Sequence, residues 1–172
     1  GKLNQPSKLG RRLRAKGKQN LNFRLNKLDK LIYVMLKTNG SGRILVFLLD
    51  SGATISILCE NSKGPRPINE TQKIRIRGVS GDSFETVGTV DIGLQAREFG
   101  IGHTFQILPE EYKLECDGIL GSDFLKKYEA TISYKLGKLL LERGDRKGAL
   151  PLYGFDEIIH QELTPFSVNY IQ

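Results

Sequence analysis

The chain has 172 residues, 39% of them hydrophobic, a length that suits one compact domain with extensions. No apolar run approaches the roughly 18–20 residues of a membrane-spanning helix; the longest, Ile44 to Leu49, is strand-sized. Ten of the 26 Lys and Arg but one of the 19 acids (Asp29) lie in residues 1–30, so that stretch carries +9 and the remainder −2.

Residues 1–30 are polar and without sustained periodicity, and are expected to form a mostly disordered arm. Its cations can neutralise phosphates without any fold. Phe23 is its one aromatic, so any nucleic-acid contact is expected to be non-specific; a solvated linker is the equal alternative. No long apolar stretch follows the basic N-terminus, so a secretory signal is not expected. The chain opens on Gly1, which reads as a piece of something longer. Cys59 and Cys116 show no CxxC spacing, and His103 and His160 complete no metal signature. These four are read as structural or incidental, in a reducing, intracellular setting.

From Leu31 the character changes. Leu31 to Leu36 (LIYVML) and Ile44 to Leu49 (ILVFLL) are apolar runs joined by Asn39-Gly40-Ser41-Gly42, which predicts a hairpin whose second strand is buried on both faces. Ala53 to Leu58 predicts a further strand, and residues 61–69, with two prolines, a loop. Lys73 to Arg77 (KIRIR) alternates strictly; after a glycine-rich tip at Gly78 to Ser83, Val90, Ile92 and Leu94 resume the period of two. That spacing predicts a second, amphipathic hairpin with its arms in those two stretches.

Phe105 and Ile107 mark another strand. Gly118 to Gly121 is apolar between glycines, and Ser122 is placed to cap a short helix reaching about Tyr128. Thr131 to Tyr134 and Lys138 to Leu141 predict two more strands. Many short strands and one brief helix predict a mainly β, barrel-like domain over residues 31–142, with 143–172 as a loosely attached tail.

The chemistry-bearing segment is Leu48 to Leu58, LLDSGATISIL. An acid ends a buried strand, and burying a carboxylate is costly unless something compensates. Gly52 lets the backbone turn its amides towards the acid, Ser51 brings a hydroxyl that donates and accepts, and small Ala53 leaves room for a substrate. Asp-Ser-Gly alone is a weak signal. It becomes specific with Asp117-Gly118-Ile119-Leu120-Gly121 about 65 residues later and a glycine-tipped hairpin between them.

This ordered set resembles the retroviral-type (retropepsin) aspartic proteases, and most of all those of LTR retrotransposons. The resemblance rests on Leu48 to Ala53, on Arg75 to Val87 and on Ile119 to Leu125 (ILGSDFL), and covers about residues 31–142. It implies a closed retropepsin-like acid-protease barrel with a flap hairpin and one short helix, dimerised across the active site. It also implies that Asp50 is the catalytic acid, that Ser51 ties the two active-site loops together, and that Gly52 bonds substrate backbone. Ala53 and Thr54 would face substrate, Gly78, Val79, Ser80 and Gly81 would form the flap tip, and Ile119, Leu120 and Gly121 would brace the catalytic loop. The chain departs from many viral members at Thr54, where they carry an acid, and at Ser122, where they often carry Arg.

Only one Asp-Ser/Thr-Gly occurs in the sequence, and the chemistry needs two carboxylates. The expectation is therefore a homodimer that hydrolyses extended polypeptides with an intersubunit Asp50 pair and no metal or cofactor. Its expected substrate is its own Gag-Pol-like polyprotein, and its expected setting is the cytoplasm or virus-like particles, away from membranes. The strands near Thr131 to Leu141 are expected at the dimer contact. The alternatives are a catalytically silent dimerisation or RNA-binding module, and a cellular ubiquitin-shuttle-type relative.

Overall fold

A computed structural model describes residues 31–77, 83–112 and 114–158. The arm at 1–30, the tip residues 78–82 and the segment 159–172 lie outside the described residues.

β1 (Ile32–Thr38) and β2 (Ile44–Leu49) form the expected antiparallel hairpin, with Tyr33 opposite Leu48 and Lys37 opposite Ile44. Its turn needs positive φ at Gly40 (85°) and Gly42 (74°), conformations that glycine reaches at no steric cost. β3 (Ile57–Cys59) comes next, two short 3-10 turns follow, and then β4 (Arg75–Arg77), β5 (Ser83–Glu85), β6 (Thr89–Ala96), β7 (Phe99–Leu108) and β8 (Gly118–Leu120). The helix α1 (Ser122–Lys127) precedes β9 (Thr131–Ser133), β10 (Lys138–Arg143), β11 (Arg146–Pro151) and β12 (Tyr153–Gly154). No helix among the described residues is long and apolar enough to cross a membrane.

The principal sheet runs β12-β1-β2-β8-β3-β7-β6, and β6 pairs back onto β1. That last pairing closes six strands into a barrel and leaves β12 outside the closure. The interior follows from strand alternation: Val34 and Leu36, Leu45 and Phe47, Val90, Ile92 and Leu94, and Ile101, Phe105 and Ile107 all point inward and are buried. Each such side chain is worth about 1.5–3 kcal/mol of burial. Phe47 and Phe105 stack at the centre with ring centroids 5.4 Å apart.

Three local expectations are corrected. The segment from Ala53 is a loop until Ile57, because the Ser56 amide donates to the Asp123 side chain instead of to a neighbouring strand. The flap hairpin closes on β5, with Ile76 opposite Phe84, and not on the Val90–Leu94 stretch. Gly88, at φ 143° and with Asn69 O 2.4 Å from where a Cβ would stand, breaks the chain between them, and β6 pairs instead with β7 and β1. The cap of α1 is Gly121, not Ser122, whose amide donates to Ala53 O at 2.7 Å.

Strands also continue past residue 142, where a tail was expected. β11 pairs along all of β10, from Lys138 opposite Pro151 to Arg143 opposite Arg146, and β12 pairs with Ile32 and Tyr33 of β1. Phe155 and Ile158 then pack into a second apolar cluster with Tyr33, Leu48, Ile57 and Ile119. Pro151 ends β11, an edge strand of its sheet, where a missing N–H costs little.

Candidate active site

Three elements converge on Asp50. β2 delivers it, as the residue directly after Leu49. β8 runs parallel to β2 in the register Phe47–Gly118, Leu48–Ile119 and Leu49–Leu120, and β3 lies antiparallel on its far side. β8 is thus threaded between two strands that are neighbours in sequence, and the Asp50 amide donates to Leu120 O at 3.0 Å.

Asp50 is 3% exposed. The loop folds back at once: the Gly52 amide donates to Asp50 Oδ1 at 3.0 Å, and the Ala53 amide donates to Asp50 O at 2.9 Å. Asp50 Oδ2 is buried and, among the described residues, meets no hydrogen-bond donor. A buried carboxylate oxygen in that condition is costly unless a partner group or bound water meets it.

The other site residues read from the sequence fall as follows. Gly52 and Ala53 are buried beside the acid, while Ser51 and Thr54 are exposed. Ile119, Leu120 and Gly121 are buried under the loop. Gly121 must be glycine, since a Cβ there would lie 2.7 Å from Ala53 O and 2.8 Å from Ile55 O. Gly78, Val79, Ser80 and Gly81 lie outside the described residues. The arms that carry that tip turn Ile76 and Phe84 towards the cluster that holds Ala53, and Phe84 packs on Tyr112 with centroids 4.5 Å apart.

Sequence reasoning missed the polar bracing of this loop. Ser56 Oγ accepts from the Gly121 amide at 2.9 Å and donates to Asp123 Oδ1 at 2.7 Å. The Ser56 amide donates to Asp123 Oδ2 at 3.1 Å, and His103 Nε2 meets the same oxygen at 3.0 Å. Burial opposes ionisation of Asp123, but the bonds from His103 and Ser56 and the charge of His103 outweigh it and hold the carboxyl below its ordinary value. One signal was available: His103 occupies an inward position of the strand Ile101-His103-Phe105-Ile107, where an imidazole needs a partner. Asp117, by contrast, is a structural tie, accepting from the Val46 amide at 2.8 Å and Ser62 Oγ at 2.6 Å.

The family described as "Retroviral aspartyl protease" matches residues 32–133. A Retrovirus-related Pol polyprotein from transposon 412 of Drosophila melanogaster is 38% identical over 112 residues. That match takes in 65% of this chain, which spans 9% of the length of that polyprotein. The crystal structure of the retroviral protease-like domain of Ddi1 from Leishmania major superposes with a TM-score of 0.53 at 20% identity, over 72% of this chain and 94% of that one. At that identity the likeness is one of fold. With the family match spanning more than half of the residues, the chain belongs to the retroviral aspartyl protease family.

Proposed function

We propose that the chain is an aspartic endopeptidase that acts as a symmetric homodimer, each copy supplying Asp50 to a shared dyad. The observation that carries this reading is Asp50 Oδ2, buried in the single chain and without a donor among the described residues. A second Asp50 carboxyl, sharing one proton across a two-fold axis, is the group that would meet it.

Two carboxylates about 3 Å apart cannot both ionise easily, as is established for aspartic-protease dyads in general. The ionised Asp50 would take a proton from a bound water, whose oxygen attacks the scissile carbonyl carbon. The protonated Asp50 would donate to the carbonyl oxygen. Breaking the C–N bond then passes a proton to the leaving amine. No step calls on a metal or cofactor. The β4–β5 hairpin would close over an extended polypeptide, held mainly through its backbone, with the chain's own polyprotein as the substrate.

Of the strands near Thr131 to Leu141, Leu139 and Leu141 are spent on the core. What remains for a partner copy is the edge of β9 and the turn after it, where Tyr134 is 77% and Leu136 59% exposed. Contact between the 1–30 arm and nucleic acid, and work inside the cytoplasm or virus-like particles, belong to the same proposal. A silent dimerisation module and a ubiquitin-shuttle-type protease are the rival readings.

Asp50→Asn separates an active protease from the silent module. It keeps the shape of the side chain and the Gly52 contact but removes the charge. Cleavage of a peptide mixture at mildly acid pH, sensitive to a statine-type inhibitor in the wild type, is expected to fall at least about a thousandfold, within the range of lost general acid–base catalysis. The circular dichroism spectrum should stay unchanged. Equal cleavage by the variant, or none by the wild type, would overturn the reading.

A further inference from the structure

We propose that His103 is a positioning residue for the catalytic loop, acting on Asp50 through Asp123 and Ser56. This rests on the reading of Asp50 as the catalytic acid. The chain of contacts is continuous: His103 Nε2 to Asp123 Oδ2 at 3.0 Å, Asp123 Oδ1 to Ser56 Oγ at 2.7 Å, and Ser56 Oγ to the Gly121 amide at 2.9 Å. Ser56 closes the loop that begins at Asp50, and Gly121 follows Leu120, whose carbonyl holds the Asp50 amide. Both ends of the acid's backbone environment therefore meet in one hydroxyl. The orientation of that hydroxyl is set by Asp123.

Asp123 alone would be a poor anchor. It sits in the first turn of a six-residue helix, and its side chain is 29% exposed. His103 gives it a fixed donor, because the imidazole is itself immobilised. The His103 side chain is 7% exposed, and the rings of Phe105 and Phe124 stand edge-on to it at 5.1 and 5.3 Å. Asp123 is the ionisable group bonded to the ring. Opposite on β6 stands Ile92, and the acid of that strand, Asp91, bonds Thr104 on the other face. On α1, Lys127 is held by Gly102 O at 2.6 Å and its ammonium lies 5.5 Å from the Tyr128 ring centroid. Lys126 of α1 is exposed. Just before β3 and just after β8 the network meets Ser56 and Gly121, which do not titrate. A neutral imidazole protonated at Nε2 can donate to Asp123, and an imidazolium adds charge to the same bond. The ring can therefore act as the donor of the brace in either form.

The test compares His103→Phe, which fills the space without a donor, with His103→Gln, which restores an amide donor that never carries charge. Peptide cleavage by the dimer should show kcat falling about 10–100-fold in His103→Phe, as expected for a displaced reacting group. KM should change far less, and His103→Gln should recover most of the loss. Ser56→Ala combined with His103→Phe should cost less than the product of the two single losses, since both break one chain of bonds.

Amide hydrogen exchange in the full chain is read alongside, at Ser56 and Gly121. It should accelerate at least about tenfold in His103→Phe, as expected when a local brace opens more readily, and far less in His103→Gln. Unchanged exchange and kcat in a folded His103→Phe protein overturn the inference. If that variant does not fold, Asp123→Asn takes its place in the same comparison. Cleavage surviving in Asp50→Asn defeats the functional reading alone, because the exchange result stands without any catalysis.

Discussion

At the scale of single residues, the site is an exercise in placing a carboxylate where it should be costly. Asp50 is buried with one oxygen on the Gly52 amide and the other unmet within the described residues. The surrounding loop is held by groups that leave Asp50 untouched. Asp123 collects donors from the Ser56 amide, Ser56 Oγ, His103 and the Phe124 amide. Because its carboxyl is held below the ordinary value of about 3.9, the unfolded chain binds this proton more readily than the folded one. The stability that Asp123 contributes is therefore complete above that value and is lost as pH falls through the lowered folded value. Asp123→Asn is expected to destabilise the protein at neutral pH and to flatten the acid limb of its stability. Thermal melts of both proteins between about pH 2 and 6 test this; parallel curves would show that the carboxylate is not the group titrating. Asp50, Gly52 and Gly121 were legible from the sequence because strand end, turn and close approach each leave a residue-type signature. Ser56 and His103 were not, because a hydroxyl or imidazole acquires its role only from a partner dozens of residues away.

At the scale of elements, hairpins were legible wherever hydrophobic alternation met turn chemistry, as in β1–β2. The reading of residues 143–172 as a loosely attached tail passed over a turn. Arg143-Gly144-Asp145-Arg146 is a two-residue hairpin connection, with Gly144 at φ 64°, and it lies between strands that pair in full register. The missing Cβ of Gly148 is what lets Phe99 pack there, 2.6 Å from the place a Cβ would take. Few apolar residues mark β11 because its burial comes from other elements. The same holds for the turn of helix at 155–158, whose Phe155 is 6% exposed and faces Tyr33 at 6.4 Å. Phe155→Ala is expected to cost about 3 kcal/mol, the low end for a buried phenylalanine. Urea denaturation checks it: a midpoint equal to that of the wild type would mean that this segment is as dispensable as a tail.

At the scale of the whole molecule, the barrel is complete in one chain, while the proposed dyad calls for two. Six strands close on themselves, and the core needs no second copy. An active dimer would therefore be joined by a limited surface, and its activity should follow mass action. Specific activity is expected to fall on dilution in step with the dimer population measured by sedimentation. Leu136→Glu, at an exposed turn position, should shift both midpoints to higher concentration without lowering the melting temperature of the monomer. Specific activity that stays constant while the protein sediments as a monomer would remove the dyad from the mechanism.

The sequence by itself determined the family, the place of Asp50 at the end of a buried strand and the barrel's alternating strands, because each is written in local patterns of residue type and spacing. Only the tertiary structure decided which strands pair, that β8 threads between β2 and β3, that β11 and β12 belong to the fold, and that His103, Asp123 and Ser56 form one brace. Those features are contacts between distant segments, and no single stretch of the chain carries the burial or the hydrogen-bond partners that stabilise them.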